Sequence, residues 1–425
     1  MIGKLFRNAR IFTPIDDGTP LAGNNQGKLV CFQKGAVYVQ DGVIESVGEE
    51  QEVMASIKLG EVDLEVDCRG LCLIPGFVDC HTHICFAALR ETEFELRLAG
   101  TDYLEILRRG GGILSSVRAV RQASEEELFV KTRRRAVGAL EFGTTTIEIK
   151  SGYGLDTETE LKMLRVIERI KKETALDVVP TFMGAHAVPE EYAGKPDEYV
   201  QLVIREMIPQ VGRQGIARFC DVFCETGVFS IDQSRQVLLA ARDHGLELKV
   251  HADEVNDLGG AGLAAEMRAV SAEHLLAASD DGFEAMAAAG VIAVLLPGTA
   301  YSLRKRFAPA TRMRDLGVPL AIATDCNPGT CYTESMPFVF GLAVMNMNLT
   351  IPEALVATTL NAAYAIGSAR QTGSLQKGKN ADFLLLKGSS PAILAYHAGV
   401  SPVVEVYKRG EMVARTDRLA LRTER

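Results

Sequence analysis

Between about residues 100 and 330, short β-branched apolar runs alternate with longer stretches whose apolar positions recur at helical spacing. That rhythm marks βα units around a parallel sheet, whose strands are buried on both faces and so read as continuous apolar runs. It predicts eight strands, at Cys72–Asp79, Thr144–Lys150, Val178–Met183, Phe219–Cys224, Leu246–Val250, Ala269–Ala272, Val291–Leu296 and Pro319–Thr324. Helix signals fall between and after them. Ser124 with Glu127, Thr157 with Glu160 and Thr350 with Glu353 have capping-box spacing, and Leu161, Leu164, Ile167 and Ile170 share one helical face. Ser279 opens a helix that Gly290 ends, and the helix from Thr350 stops near Gly367. Eight such units closing on one another predict an α/β chain built on a (β/α)8 barrel.

The two ends read differently. "GAVYVQDGVIESVG" breaks at Asp41-Gly42 and "VVEVYKRGEMVA" at Arg409-Gly410, both hairpin signals between β-rich runs, and "ADFLLLKG" adds another short strand. The expected organisation is a composite β domain of residues 1–72 and 375–425 beside a barrel domain of residues 73–374. A length of 425 residues suits that division, since a barrel takes about 250 residues.

Composition narrows the partners. A net charge of −9 and a pI near 5.5 argue against nucleic acid or an anionic membrane surface. The first residues lack a signal-peptide pattern and no apolar run reaches about 18 residues, so a cytoplasmic location without membrane contact is expected. The nine cysteines lack paired CxxC spacing and read as reduced core thiols, with no second pair to join Cys220 and Cys224 in a structural zinc site. Gly110–Gly112 lacks the lysine and preceding strand of a phosphate loop, and reads as a mobile loop near the barrel mouth.

In such barrels reactive side chains gather at the C-terminal ends of the strands. His81 and His83 end the first predicted strand, His186 follows the third, Glu225 the fourth, His251 the fifth, His274 the sixth and Asp325 the eighth. Strand alternation in "DCHTH" puts His81 and His83 on one face and turns Cys80 away. With His251 and Asp325 they make three neutral imidazoles and a carboxylate, a set that suits Zn²⁺ or Fe²⁺. One negative charge leaves such an ion net positive, able to lower the pKa of water to about 7, so hydrolysis is the expected chemistry. A hydrogen-bonded polar core is the alternative. His244, before Gly245, reads as a surface histidine at a helix end.

"PGFVDCHTH", "HADE" and "ATDCNPG" resemble the metal-binding segments of the amidohydrolase superfamily. The resemblance implies a distorted (β/α)8 barrel flanked by a small β-sandwich from both chain ends, with His81, His83, His251 and Asp325 holding one divalent metal per chain, Zn²⁺ or Fe²⁺. Glu225 stands where a metal-bridging lysine would, so a second metal is not expected, and Lys150 is read as support for the turn "SGYG". "EFELRLAG", "KSGYGLDTETELKML", "GAHAVP", "LLPGTAYSLR" and "TDCNPGTCYTESM" are similar to superfamily members that open the lactam of 4-imidazolone-5-propionate in histidine degradation, giving N-formimino-L-glutamate.

That similarity implies a substrate pocket of Arg90, Tyr153, His186, Glu254, Asn327, Gly329 and Thr330, and by analogy a homodimer. Arg90 would clamp a carboxylate and Tyr153 add a hydroxyl, while the Asn327–Thr330 turn would offer backbone N–H groups. Duller roles stand beside these: Arg90 paired with Glu91 or Glu93, Tyr153 as a packing anchor, Glu254 as a helix cap. His274, Asp325 and Glu254 are the candidate catalytic proton carriers. The rival functions are another cyclic-amide hydrolase, a deaminating aminohydrolase, or an inactive oligomeric scaffold.

Overall fold

In the computed structural model, which describes residues 2–101, 105 and 111–415, eight parallel strands lie side by side in chain order. They are β1 (Phe77–Asp79), β2 (Thr144–Lys150), β3 (Asp177–Ala185), β4 (Phe219–Cys224), β5 (Glu247–Ala252), β6 (Ser271–His274), β7 (Ile292–Leu295) and β8 (Leu320–Ile322). Gly110 of the expected loop and residues 416–425 of the expected terminal domain lie outside the described residues. The strands alternate with helices that include Glu125–Glu141, Thr157–Glu173, Ile231–Asp243 and Asp280–Ala289. This is the (β/α)8 barrel, and strands β5 and β6 run on far enough to include His251 and His274.

The barrel closes beyond the ends of its first and last strands. No ladder joins β1 to β8; a single bridge pairs Thr82 with Cys326, where Asp325 N donates to His81 O and His83 N to Cys326 O, both at 3.0 Å. The buried Asp79 carboxylate adds a second tie, accepting from Thr324 N at 3.0 Å and Thr324 Oγ1 at 2.6 Å. The closure therefore sets His81, His83 and Asp325 beside one another.

The first predicted strand is two strands. Cys72–Pro75 pairs with Gly3–Pro14 and Phe383–Leu386, while Phe77–Asp79 pairs with β2. Gly76 is the crossing point: a Cβ there would meet Thr145 Oγ1 at 2.3 Å, so only glycine lets the chain pass from one sheet to the other. Strands from both chain ends build the second sheet, including Leu29–Gln40, Val43–Glu49, Leu64–Asp67, Val403–Lys408 and Glu411–Arg415. Both predicted hairpin turns form, with Asp41, Gly42, Arg409 and Gly410 all at positive φ.

The capping boxes at Ser124 and Thr350 form, but the one at Thr157 does not. Asp156 caps that helix instead, accepting from Thr159 N at 2.8 Å. Glu160 turns back beneath "SGYG": Oε1 accepts from Gly154 N at 2.7 Å and Leu155 N at 2.9 Å, and Oε2 from Gly152 N at 3.0 Å. The turn buries N–H groups that no carbonyl reaches, and a buried carboxylate satisfies three of them. Its support is thus Glu160 and not Lys150. All nine cysteines are free, only Cys31 being exposed, and no helix among the described residues is long and apolar enough to cross a membrane.

Candidate metal centre

Three ring nitrogens converge at the C-terminal mouth of the barrel. His83 Nε2 lies 3.3 Å from both His81 Nε2 and His251 Nε2. Asp325 Oδ1 joins them at 3.5 Å from His81 Nε2 and 3.7 Å from His83 Nε2. His251 Nδ1 donates to Asp221 at 3.0 Å, which leaves the Nε2 lone pair facing the group. Donors held about 2.0–2.1 Å from a tetrahedral ion stand about 3.3–3.4 Å apart, so His81, His83 and Asp325 are spaced for a small divalent cation, with His251 beside His83.

Burial sets the protonation that ligation requires. It holds the His81 and His83 imidazolium forms well below their usual range and His251 at about 3, the last in spite of Asp221. All three rings are neutral near pH 7. Burial pushes Asp325 the other way, up to about 6, against a bond from the Thr299 hydroxyl to Oδ2. Asp325 and His274 both sit in the left-handed region, at φ 52° and 72°, a conformation that non-glycine residues seldom adopt outside constrained sites.

His274 lies beside the cluster, its ring centroid 5.2 Å from that of His251, with Nε2 3.9 Å from Glu254 Oε2. Glu254 caps no helix, since the next one starts from Gly259. His186 stacks on His83 at 5.0 Å and donates through Nδ1 to Gly152 O at 3.0 Å; burial lowers it to about 4. The buried Tyr153 ring stands 5.4 Å from His186. The expected residues of β1, β3, β5, β6 and β8 are thus brought together.

Two features of the expected pocket differ. Arg90 is paired with Glu93 Oε2, through Nε at 3.0 Å and Nη2 at 2.8 Å, while its Nη1 faces Gly329 so closely that a Cβ there would lie 2.4 Å away. Asn327 Oδ1 takes up the N–H groups of Gly329 and Thr330, at 2.9 and 2.7 Å, so the turn does not offer them to a ligand. An asparagine two and three residues before such N–H groups closes an Asx turn in preference to leaving them open. Beside the turn is a hollow of about 300 Å³, lined in part by Leu89, Arg90, Phe94, Tyr301, Gly329 and Tyr332.

His244 is exposed at a helix end, with Nδ1 donating to Ala240 O at 2.9 Å. Glu225 braces the loop after β5, accepting from Val255 N at 2.8 Å and Asn256 Nδ2 at 3.1 Å. Cys80 packs in an apolar cluster with Val78 and Ala323, turned from the metal-binding face.

Sequence reasoning missed the charged layer inside the barrel. Lys150 Nζ lies 2.8 Å from Glu148 Oε2 and 2.7 Å from Asp221 Oδ2; Lys249 Nζ lies 3.1 Å from Glu148 Oε1 and 3.4 Å from Glu273 Oε1. All five side chains are fully buried. The signal was present: "TTTIEIK", "FCDVFC", "ELKVHA" and "SAEH" each place a charge inside a strand that has no solvent face.

A family profile described as the amidohydrolase family matches residues 72–413. A protein of Syntrophobacter fumaroxidans named imidazolonepropionase is 68% identical over 96% of this chain and 96% of its own length. Another of that name, from Desulfotalea psychrophila, is 61% identical over 97% of this chain and 100% of its own. Among solved structures, Escherichia coli guanine deaminase is similar with a TM-score of 0.74 at 14% identity, covering 98% of this chain and 100% of that one. An adenosine deaminase from Xanthomonas campestris with bound zinc follows at a TM-score of 0.69 and 19% identity, covering 99% of this chain and 96% of that one. At such identities the two structures speak for the fold alone. The profile and the close relatives together place the chain in the amidohydrolase family.

Proposed function

We propose that the chain hydrolyses the lactam C–N bond of 4-imidazolone-5-propionate to N-formimino-L-glutamate. The observation that carries the hydrolytic reading is the grouping of His81, His83 and Asp325 at the barrel mouth, with His251 Nε2 3.3 Å from His83 Nε2. The substrate rests on the relatives that bear the name imidazolonepropionase over nearly all of this chain.

One divalent ion, Zn²⁺ or Fe²⁺, bound by His81, His83, His251 and Asp325 would supply Lewis-acid polarisation and a water of lowered pKa. The remaining work falls to the protein. Arg90, with Glu93 fixing one edge of its guanidinium, presents Nη1 to the propionate carboxylate, Tyr153 and His186 line the pocket, and Asn327, Gly329 and Thr330 shape its wall as a self-bonded turn and donate no N–H group to the ligand. Water adds to the ring carbonyl carbon, the C–N bond breaks, and one proton must reach the departing ring nitrogen. His274, Glu254 and Asp325 are the candidate carriers, with His274 Nε2 and Glu254 Oε2 3.9 Å apart beside the cluster.

The same proposal keeps the two domains expected as residues 1–72 with 375–425 and 73–374, moves their first boundary to Gly76 because Cys72–Pro75 pairs in the terminal sheet, and takes the protein as cytoplasmic with reduced thiols and the assembly as a homodimer, the commonest closed form. Light scattering of the purified protein checks the last point. The decisive experiment follows loss of imidazolone absorbance with freshly made substrate, before and after chelation. Chelator-sensitive conversion to formiminoglutamate is expected; absence of turnover with one metal bound per chain removes the substrate assignment, and ammonia release points to a deaminase.

A further inference from the structure

Asp221, His251 and Glu273 are themselves close enough to hold an ion, their donor atoms lying within 4.8 Å of one another. Their partners give them another use. Asp221 Oδ2 is occupied by the Lys150 ammonium at 2.7 Å, and Glu273 Oε1 lies 3.4 Å from Lys249. The lysines are tied in turn through Glu148, whose two oxygens reach Lys150 at 2.8 Å and Lys249 at 3.1 Å. Two internal ammonium groups therefore stand where further cations would be needed to neutralise these carboxylates. The other oxygen of Asp221 accepts from the His251 backbone N at 3.2 Å, and His251 Nδ1 lies 3.0 Å from both oxygens, so the ring N–H is shared across the carboxylate.

We infer that Asp221, anchored by Lys150, is a positioning residue that fixes His251 with its proton on Nδ1 and its Nε2 lone pair toward the metal centre, and that this layer is a lysine-neutralised brace, not a second metal site. The inference rests on the metal-centre reading. Such carboxylate partners typically set metal affinity within 10–100-fold through the orientation and basicity of the ligand ring. Lys150 matters because a carboxylate gripped on one oxygen by a fixed ammonium cannot rotate away from the imidazole. Glu273 lacks that contact, since its Oε2 makes no hydrogen bond and lies 4.0 Å from His251 Nδ1.

The test is a Zn²⁺ titration of the stripped full-length chain against a chromogenic chelator, with Asp221→Asn beside Glu273→Gln. Asp221→Asn keeps the side-chain volume and should raise Kd by about 10–100-fold at a stoichiometry of one, with a lower melting point for the stripped protein because Lys150 keeps only Glu148 as a buried counter-charge. Glu273→Gln should bind Zn²⁺ with about wild-type affinity. Unchanged affinity in a folded Asp221→Asn variant overturns the inference while leaving the metal centre standing, as does a stoichiometry of two in the wild type. A wild-type chain that binds no Zn²⁺ overturns the metal-centre reading as well. Independently of any variant's folding, ¹⁵N-histidine spectra of the stripped wild-type protein should show His251 protonated at Nδ1; protonation at Nε2 overturns the inference.

Discussion

The Thr299 hydroxyl donates to Oδ2 of Asp325 while Oδ1 of the same carboxylate faces His81 Nε2 at 3.5 Å. One oxygen is held by a neutral donor and the other is left for the metal centre. Thr299 sits in the short helix Pro297–Ser302 after β7, so the loop of one strand orients a residue delivered by the next. Thr299→Val keeps the shape and removes the donor. A hydrogen bond to a charged group is worth about 1.5–3 kcal/mol, so kcat should fall about tenfold or more, and Thr299→Ser should restore most of it. Steady-state kinetics with metal analysis checks this; wild-type turnover in Thr299→Val would show that Asp325 needs no such hold.

Gly329 is needed for what it lacks. Its missing Cβ leaves room for Arg90 Nη1, which a methyl group would approach to 2.4 Å, and Arg90 cannot retreat easily because Glu93 grips Nε and Nη2. Gly329→Ala should displace the guanidinium from its clamp position. The expected result is a rise in KM of about tenfold with kcat nearly kept, the pattern of lost uniform binding. An unchanged KM would remove Arg90 from substrate recognition.

The legibility of this site in the sequence follows from how local each signal is. His81 and His83 are two residues apart in the segment just past β1, on either side of the Thr82 bridge, so alternation aims them together, and His251 and His274 could be placed because strand ends in a barrel share one mouth. Asp221 and Thr299 could not be placed in this way. Their roles depend on which neighbouring strand lies at the same height, a matter of register that no single run of residues encodes. Glu160 shows the opposite difficulty: it obeys the spacing of a capping box with Thr157, yet the unpaired N–H groups of Gly152, Gly154 and Leu155 compete for it and win. The break at Gly76 was hidden because an apolar run crosses it unchanged, and only the position of Thr145 shows that two sheets meet there.

Glu160 also links stability to the site. The turn it supports carries Tyr153 and offers Gly152 O to His186 Nδ1. Glu160→Gln would set an amide N–H₂ against at least one buried backbone donor. The cost should be about 1–3 kcal/mol in denaturant unfolding, the range for a buried group left unsatisfied, with KM rising as His186 loses its anchor. Unchanged stability would mean that another acceptor replaces the carboxylate.

Metal affinity should depend on pH through Asp325 and hardly at all through the histidines. Burial keeps His81 and His83 well below 6.5 and His251 at about 3, so these rings bind no proton that an ion must displace over most of the acid range. Asp325 is raised by burial to about 6; above that pH it is already ionised, and below it each bound metal must release one proton. Affinity should therefore be flat above about pH 6 and fall about tenfold for each pH unit below it, a slope of one. Three histidines at their ordinary pKa of about 6.5 would instead approach a slope of three or more. Zn²⁺ titrations between about pH 4.5 and 7 distinguish the two, and the steeper slope would show that the imidazoles stay solvated in the metal-free chain.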